Sequence, residues 1–268
     1  MTMSRFPCRI LLLRRRHVAF LAALAAAAGI FYAVRYPASV SAAATSRQLP
    51  IYSVERPQKM CALSFDAAWG NQVTPLLIET LAKYDIKATF FVMGEWAEEY
   101  PDSVKALAEA GHEVMNHSDT HEHYNSFSAQ EIIADVSACN EKIAAITGVT
   151  PTLIRCPFGE YDDHVISAIR SMGMEPIQWD VDSLDWKDTD PDSVCQRVTE
   201  KVRSGSIVLF HNAAAHTAQA LPQVLECLIR EGYTIVPISQ LIYTENYTID
   251  HTGRQFPAET STETDTTE

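Results

Sequence analysis

The chain has 268 residues, 47% of them apolar, with 34 acidic side chains against 21 basic ones and a net charge of −13. That length buries a full core and allows one large domain or two small ones. An acidic body without a basic stripe argues against nucleic acid as a partner, and six scattered cysteines without CxxC spacing argue against a disulfide framework or a cysteine zinc site.

The N-terminus reads as a membrane anchor. Residues 1–36 carry six arginines and no acid. Arg14, Arg15 and Arg16 precede an apolar run over 18–34, just long enough to span a bilayer. Five arginines stand before this run, while Arg35 and Arg47 follow it. That asymmetry puts the N-terminus in the cytoplasm and the body outside the cell membrane on a single pass. Ala42, Ala43 and Ala44 offer small residues for cleavage, which would make the body secreted. They lie well past the apolar run, so an uncleaved signal anchor is the expectation. Residues 37–58, small and polar with Pro50 and Pro57, read as a linker.

From residue 59 strand and helix signals alternate. Residues 60–65 form an apolar run of strand length. A helix is expected over 74–84, with Pro75 in its first turn. The β-branched and aromatic run over 88–93 reads as a strand. A helix over 101–110 ends at Gly111, and a strand over 112–116 follows. Ser128 and Glu131 make a capping-box pattern, and Ile132, Val136, Cys139, Ile143 and Ile146 continue at helical spacing to Gly148. Further strands are expected over 152–155, 175–179, 206–210 and 233–237, separated by helices over 162–172, 192–203 and 217–231. Seven strands alternating with helices imply parallel βαβ units and an α/β fold. A barrel one strand short of the eight-stranded form suits the span, with an open doubly wound sheet as the alternative. No Gly-rich phosphate loop follows any strand. Residues 244–268, rich in threonine and acid, are expected to be a disordered tail.

In both architectures chemistry collects at the carboxyl ends of the strands, and polar residues stand there repeatedly. Asp66 ends the first strand and His117 and His121 follow the third. Arg155 ends the fourth, Asp180, Asp182, Asp185 and Trp186 follow the fifth, and His211 follows the sixth. Any one of these is ordinarily a satisfied polar residue; the series on one rim is not. It is what metal-assisted hydrolysis needs. Two histidines hold a divalent ion with positions open for water and a carbonyl. A carboxylate takes the water's proton, and an imidazolium protonates the leaving nitrogen. Arg155 is suited to keep the base ionised, Asp185 to fix the tautomer of His211, and the backbone N–H of Phe158 to donate to an oxyanion.

Five segments carry a resemblance: SFD at 64–66, HSDTH at 117–121, RCPFG at 155–159, DSLDW at 182–186 and LFH at 209–211. In this order they are similar to the five motifs of the polysaccharide deacetylase family, the NodB-homology carbohydrate esterases. The resemblance covers residues 59–241. It implies a distorted (β/α)7 barrel over 59–243 that removes acetyl groups from N-acetylated glycans such as peptidoglycan, with zinc, cobalt or manganese as cofactor. It further implies Asp66 as base, His117 and His121 as metal ligands, and Arg155 as the partner of the base. Asp185 would support His211 as the acid, and Trp186 and Leu209 would help wall the acetyl pocket.

One motif departs from the pattern. The family's first motif carries two adjacent aspartates, the second a metal ligand, whereas Asp66 is followed by Ala67 within FDAAWG. This form resembles a subgroup associated with spore-forming bacteria. A methyl group coordinates nothing. The ion would then rest on two histidines, waters and substrate, or recruit Asp119, His123 or Asp182. Alternatively the domain recognises glycans without cleaving them. Phe158 also stands where tyrosine is usual, which leaves its backbone N–H in place.

Overall fold

The computed structural model describes residues 47–187 and 190–258. The expected anchor, the first ten residues of the linker and the last ten residues of the tail lie outside them. No helix among the described residues is long and apolar enough to cross a membrane.

The described chain alternates strands and helices. It runs β1 (Ser53–Val54), β2 (Met60–Ala67), α1 (Thr74–Lys83), β3 (Thr89–Val92), α2 (Gly94–Glu99), α3 (Pro101–Glu109) and β4 (Glu113–Asn116). Next come α4 (Ala129–Thr147), β5 (Leu153–Ile154), α5 (Asp163–Ser171), β6 (Glu175–Pro176), β7 (Val181–Asp182), α6 (Pro191–Lys201) and β8 (Ser206–His211). The last elements are α7 (Thr217–Arg230), β9 (Thr234–Ile235), α8 (Ile238–Leu241), β10 (Tyr247–Ile249) and β11 (Arg254–Pro257). The capping box forms as the sequence implies: Ser128 accepts from the Glu131 N–H, and Glu131 accepts from the Ser128 N–H. Gly148 closes α4 in the left-handed conformation.

Seven strands run parallel in the order β7-β8-β2-β3-β4-β5-β6. Among the described residues no ladder joins β6 to β7, so the barrel is incompletely closed. The number seven matches the expectation but the membership does not. The expected strand over 175–179 gives only β6, which pairs with β5, and β7 just beyond it pairs with β8 instead. The expected last strand, β9, is no stave: it pairs only with Met60 and Cys61 of β2. Its residues are half-exposed or exposed, so its apolar pattern does not mark a core strand.

Two apolar layers follow from strand alternation. On β2, Cys61, Leu63 and Phe65 face the helices, in a layer with Leu77 of α1 and Leu221 of α7. Ala62 belongs to a second cluster with Phe91, Met115, Leu153, Ile177 and Ile207. Ser64 and Asp66 continue the Ala62 face toward the carboxyl end.

Two expected boundaries are corrected. The linker does not extend to residue 58, because Ile51 and Val54 are fully buried. The Ile51 N–H donates to the Pro176 carbonyl and the Gln178 N–H to that of Ile51, so this segment fills the gap beside β6. The tail is not disordered over its first half. β10 and β11 form a hairpin, and β11 pairs in parallel with β1. Acidic, threonine-rich composition hid a short strand whose Gln255 is fully buried. Its side-chain amide donates to the Tyr243 carbonyl and accepts from the Tyr243 N–H, both at 2.7 Å. Truncation after Tyr243 is therefore expected to lower stability in urea denaturation by about 2 kcal/mol or more, because it orphans buried backbone groups. An unchanged denaturation midpoint would contradict this packing.

Candidate active site

Register brings the first two groups together. Asp66 stands one residue before the end of β2 and His211 ends β8, and the two are direct partners across the parallel ladder. Both reach one cleft of about 710 Å³ at the carboxyl end of the strands.

Asp66 is 7% exposed and Arg155, behind it, is fully buried. Arg155 Nη1 donates to Asp66 Oδ1 at 2.7 Å, and Nη2 donates to Ser64 Oγ at 2.9 Å. The guanidinium also lies over the Phe91 ring at 4.2 Å and the Trp179 ring at 5.4 Å. Burial opposes ionisation of Asp66, but the Arg155 charge and hydrogen bond first, then His211, outweigh it and hold the carboxyl below the usual range. Asp66 is thus a carboxylate with one oxygen occupied by Arg155.

His211 is fixed by Asp185. Its Nδ1–H donates to Asp185 Oδ1 and its backbone N–H to Oδ2, both at 2.8 Å. Thr217 Oγ1 donates to the same Oδ2 at 2.6 Å. Asp185 is 1% exposed. Burial disfavours the imidazolium, but the Asp185 hydrogen bond and the Asp66 charge prevail and raise the pKa of His211 above its ordinary value. With Nδ1 engaged, Nε2 is the nitrogen left to exchange a proton.

The histidine pair sits on a turn after β4 that two other side chains secure. Asn116 Oδ1 accepts from the Ser118 N–H at 2.7 Å. Asp135 accepts from the Asp119 N–H, Thr120 Oγ1 and the Tyr124 hydroxyl. The turn forces positive φ on Ser118 (66°) and His121 (57°), a strained backbone for residues with a Cβ. Burial, then the neighbouring His117, lowers the His121 pKa to about 4, so its imidazole is neutral near pH 7. Burial likewise lowers that of His117.

His117 Nδ1 lies 2.8 Å from the Arg155 carbonyl oxygen, to which it donates. A neutral ring then carries a lone pair on Nε2, and that nitrogen is 3.7 Å from Asp66 Oδ2. Two acceptors facing each other call for a positive charge between or beside them. Among the described residues no group of three His, Cys, Asp or Glu side chains is arranged to hold a metal ion. Ala67, at 0% exposure, packs in the helix-facing layer. Two of the suggested substitute ligands are engaged elsewhere. Asp119 pairs with Lys142 at 2.9 Å and fills the space a Cβ at Gly94 would need. His123 pairs with Glu160 at 2.9 Å and stacks on Phe158. Asp182 lines the cleft, but one of its oxygens caps the Leu184 N–H. Two neutral imidazoles are therefore the donors the cleft offers a divalent ion, one fewer than the three protein ligands usual at a catalytic zinc.

Seven of the nine expected site residues line the cleft: Asp66, His117, His121, Phe158, Trp186, Leu209 and His211. Arg155 and Asp185 stand behind Asp66 and His211, each donating or accepting through the wall. Sequence reading missed Ser64, Trp179 and Thr217, which support these two pairs, and Asn116 and Asp135, which shape the histidine turn. None has a spacing signal of its own. Phe158 sits at φ 58° on the turn after β5.

The family model for polysaccharide deacetylase matches residues 53–177. The peptidoglycan-N-acetylmuramic acid deacetylase PdaC of Bacillus subtilis is 33% identical over 70% of this chain and 40% of its own length. The peptidoglycan-N-acetylglucosamine deacetylase PgdA of Listeria monocytogenes is 34% identical over 82% of this chain and 47% of its own. The chain thus spans about half the length of these curated relatives. Among solved structures, BA3943 of Bacillus anthracis, described as a pseudoenzyme of the CE4 family, is 36% identical with a TM-score of 0.71, over 73% of this chain and 69% of that one. A mutant of BA3943 with restored enzymatic activity is 37% identical with the same TM-score, over 73% and 72%. By fold, motifs and relatives the chain belongs to the polysaccharide deacetylase family, the NodB-homology carbohydrate esterases.

Proposed function

We propose that this protein is a hydrolase that removes N-acetyl groups from the glycan strands of peptidoglycan, cleaving an amide bond other than a peptide bond. The observation that carries this reading is the pair of buried dyads, Arg155–Asp66 and Asp185–His211, facing one cleft from adjacent strands. Binding alone has no use for a base held ionised beside an acid held protonatable. Asp66 accepts a proton from the attacking water, and Arg155 keeps it ionised and oriented. The Phe158 N–H donates to the oxygen of the tetrahedral intermediate. His211 Nε2 delivers a proton to the leaving amine, and Asp185 stabilises the imidazolium. Trp186 and Leu209 wall the acetyl group. His117 and His121 would hold a zinc, cobalt or manganese ion, which supplies a polarised carbonyl and an acidified water when bound.

On this reading the site stands outside the cell membrane, where peptidoglycan lies. The arginine cluster and apolar run over 18–34 support a single-pass anchor.

A second reading has its own observation. Ala67 removes a carboxylate, and one similar structure is described as a pseudoenzyme. On this reading the domain recognises N-acetylated glycan without cleaving it.

Acetate release from N-acetylglucosamine oligomers and from peptidoglycan separates the two. Release is expected with added zinc, cobalt or manganese, and a fall of about a hundredfold or more in Asp66→Asn and His211→Ala. No release under any metal, with glycan still retained on a column, would select the binding reading. Release that persists in chelator would remove the metal role of His117 and His121 and leave deacetylation standing.

The pH profile reports on the acid. His211 acts protonated and its pKa is raised, so activity is expected to fall only as pH climbs above the ordinary histidine range. Asp185→Asn should move that falling limb to lower pH. A limb in the same place in both proteins would take Asp185 out of this role.

Arg155→Met should destabilise the fold by about 3–5 kcal/mol, because it leaves the Asp66 charge buried and unpaired. Adding Asp66→Asn should recover part of that loss in denaturant titrations. Simple additivity of the two changes would show that the charges are not coupled.

A further inference from the structure

Trp69 has no part in the chemistry above, yet its indole is 62% exposed at the edge of the same cleft. Its backbone is held firmly. The neighbouring Gly70 carbonyl accepts from Trp96 Nε1 at 2.7 Å and from Asn212 Nδ2 at 3.0 Å, and both donors are 1% exposed. Asn212 in turn donates its backbone N–H to the Asp66 carbonyl. Gly70 adopts φ 56°, so the turn is built for glycine. The indole itself meets the His121 ring edge-on, with centroids 4.7 Å apart. A large apolar side chain on a backbone tied this tightly to the catalytic strand is a surface prepared for a ligand.

Its surroundings indicate the ligand's chemistry. Ala68, Ala213 and Ala214 line the cleft without charge, and the exposed Trp186 lines it from the loop after β7. A flat indole above a neutral wall suits the apolar face of a pyranose ring better than a charged group. Building on the proposed deacetylase reading, we propose that Trp69 is a sugar-stacking residue. It takes a pyranose unit of the glycan strand next to the unit whose acetamido group reaches Asp66 and His211. Trp69 is then a specificity-determining residue for chain length: it favours oligomers over single sugars.

Calorimetric titration of the full chain with N-acetylglucosamine and with its tetramer tests this, using wild type, Trp69→Ala and Trp69→Phe. Trp69→Ala should weaken tetramer binding by about tenfold or more, leave the monomer unchanged, and keep the wild-type thermal midpoint. Trp69→Phe should recover most of the tetramer affinity. In acetate release the loss should fall on KM rather than on kcat. Equal tetramer binding by wild type and Trp69→Ala overturns the stacking role and leaves the deacetylase reading intact. Wild-type protein that binds neither tetramer nor peptidoglycan overturns the glycan reading, and the stacking role with it.

Discussion

A guanidinium with no solvent exposure, that of Arg155, has to find its counter-charge and most of its hydrogen-bond acceptors inside the barrel, and the site is arranged around that demand. Asp66 meets the charge, Ser64 Oγ and the Gln178 carbonyl accept the second amino group, and Phe91 and Trp179 cover the guanidinium. Only Nε has no partner among the described groups. The Arg155 carbonyl, in turn, sets the tautomer of His117. One residue thus orients the base on β2 and a histidine from the turn after β4. Removing either member of such a pair leaves a stranded charge, so the arrangement resists piecemeal change.

The second dyad repeats the logic on the neighbouring strand, with one difference. Asp185 takes three hydrogen bonds and holds His211 from behind, but the histidine itself stays partly exposed. Arg155 pushes Asp66 toward its charged form, and Asp185 pushes His211 toward its charged form. The two cleft-facing groups are therefore both ready, in opposite senses, at one pH. This division of labour between a supporter inside the wall and a worker facing the cleft explains why Arg155 and Asp185 do not line the cleft.

Much of this was legible in sequence because parallel strands end abruptly. Asp66, Arg155 and His211 each close an apolar run, and the fold gathers such ends on one rim. The capping box and the glycine that stops α4 announce a long helix by local chemistry alone. What stayed hidden depends on tertiary pairing. The strand expected at 175–179 gives only β6, and β7 just beyond it serves the opposite end of the parallel order, because the two find different partners. Helix α2 is short and begins at Gly94, whose lack of a side chain makes room for Asp119. Support from Ser64 to Arg155 and from Thr217 to Asp185 crosses long stretches of chain, and that from Asn116 and Asp135 depends on how the histidine turn folds, so none of it shows as spacing. Four non-glycine residues with positive φ, Ser118, His121, Phe158 and Leu184, lie on the turns that carry the motifs. Strain of this kind is set by the surrounding packing and is invisible in composition.

The ladder between β1 and β11 pairs Ser53 with Arg254, joining the two ends of the described fold. Order of assembly follows from that ladder. The chain is made from its N-terminus, so β1 waits for almost the whole body to be synthesised before it meets one of its neighbours. Until then the gap beside β6 and the edge of β8 depend on a segment that is only half-anchored. Contacts of such large sequence separation slow folding and prolong the exposure of unpaired edges. Pairing of β1 with β11 is thus a late event in folding, and the buried Ile51 and Val54 segment gains its second neighbour only then.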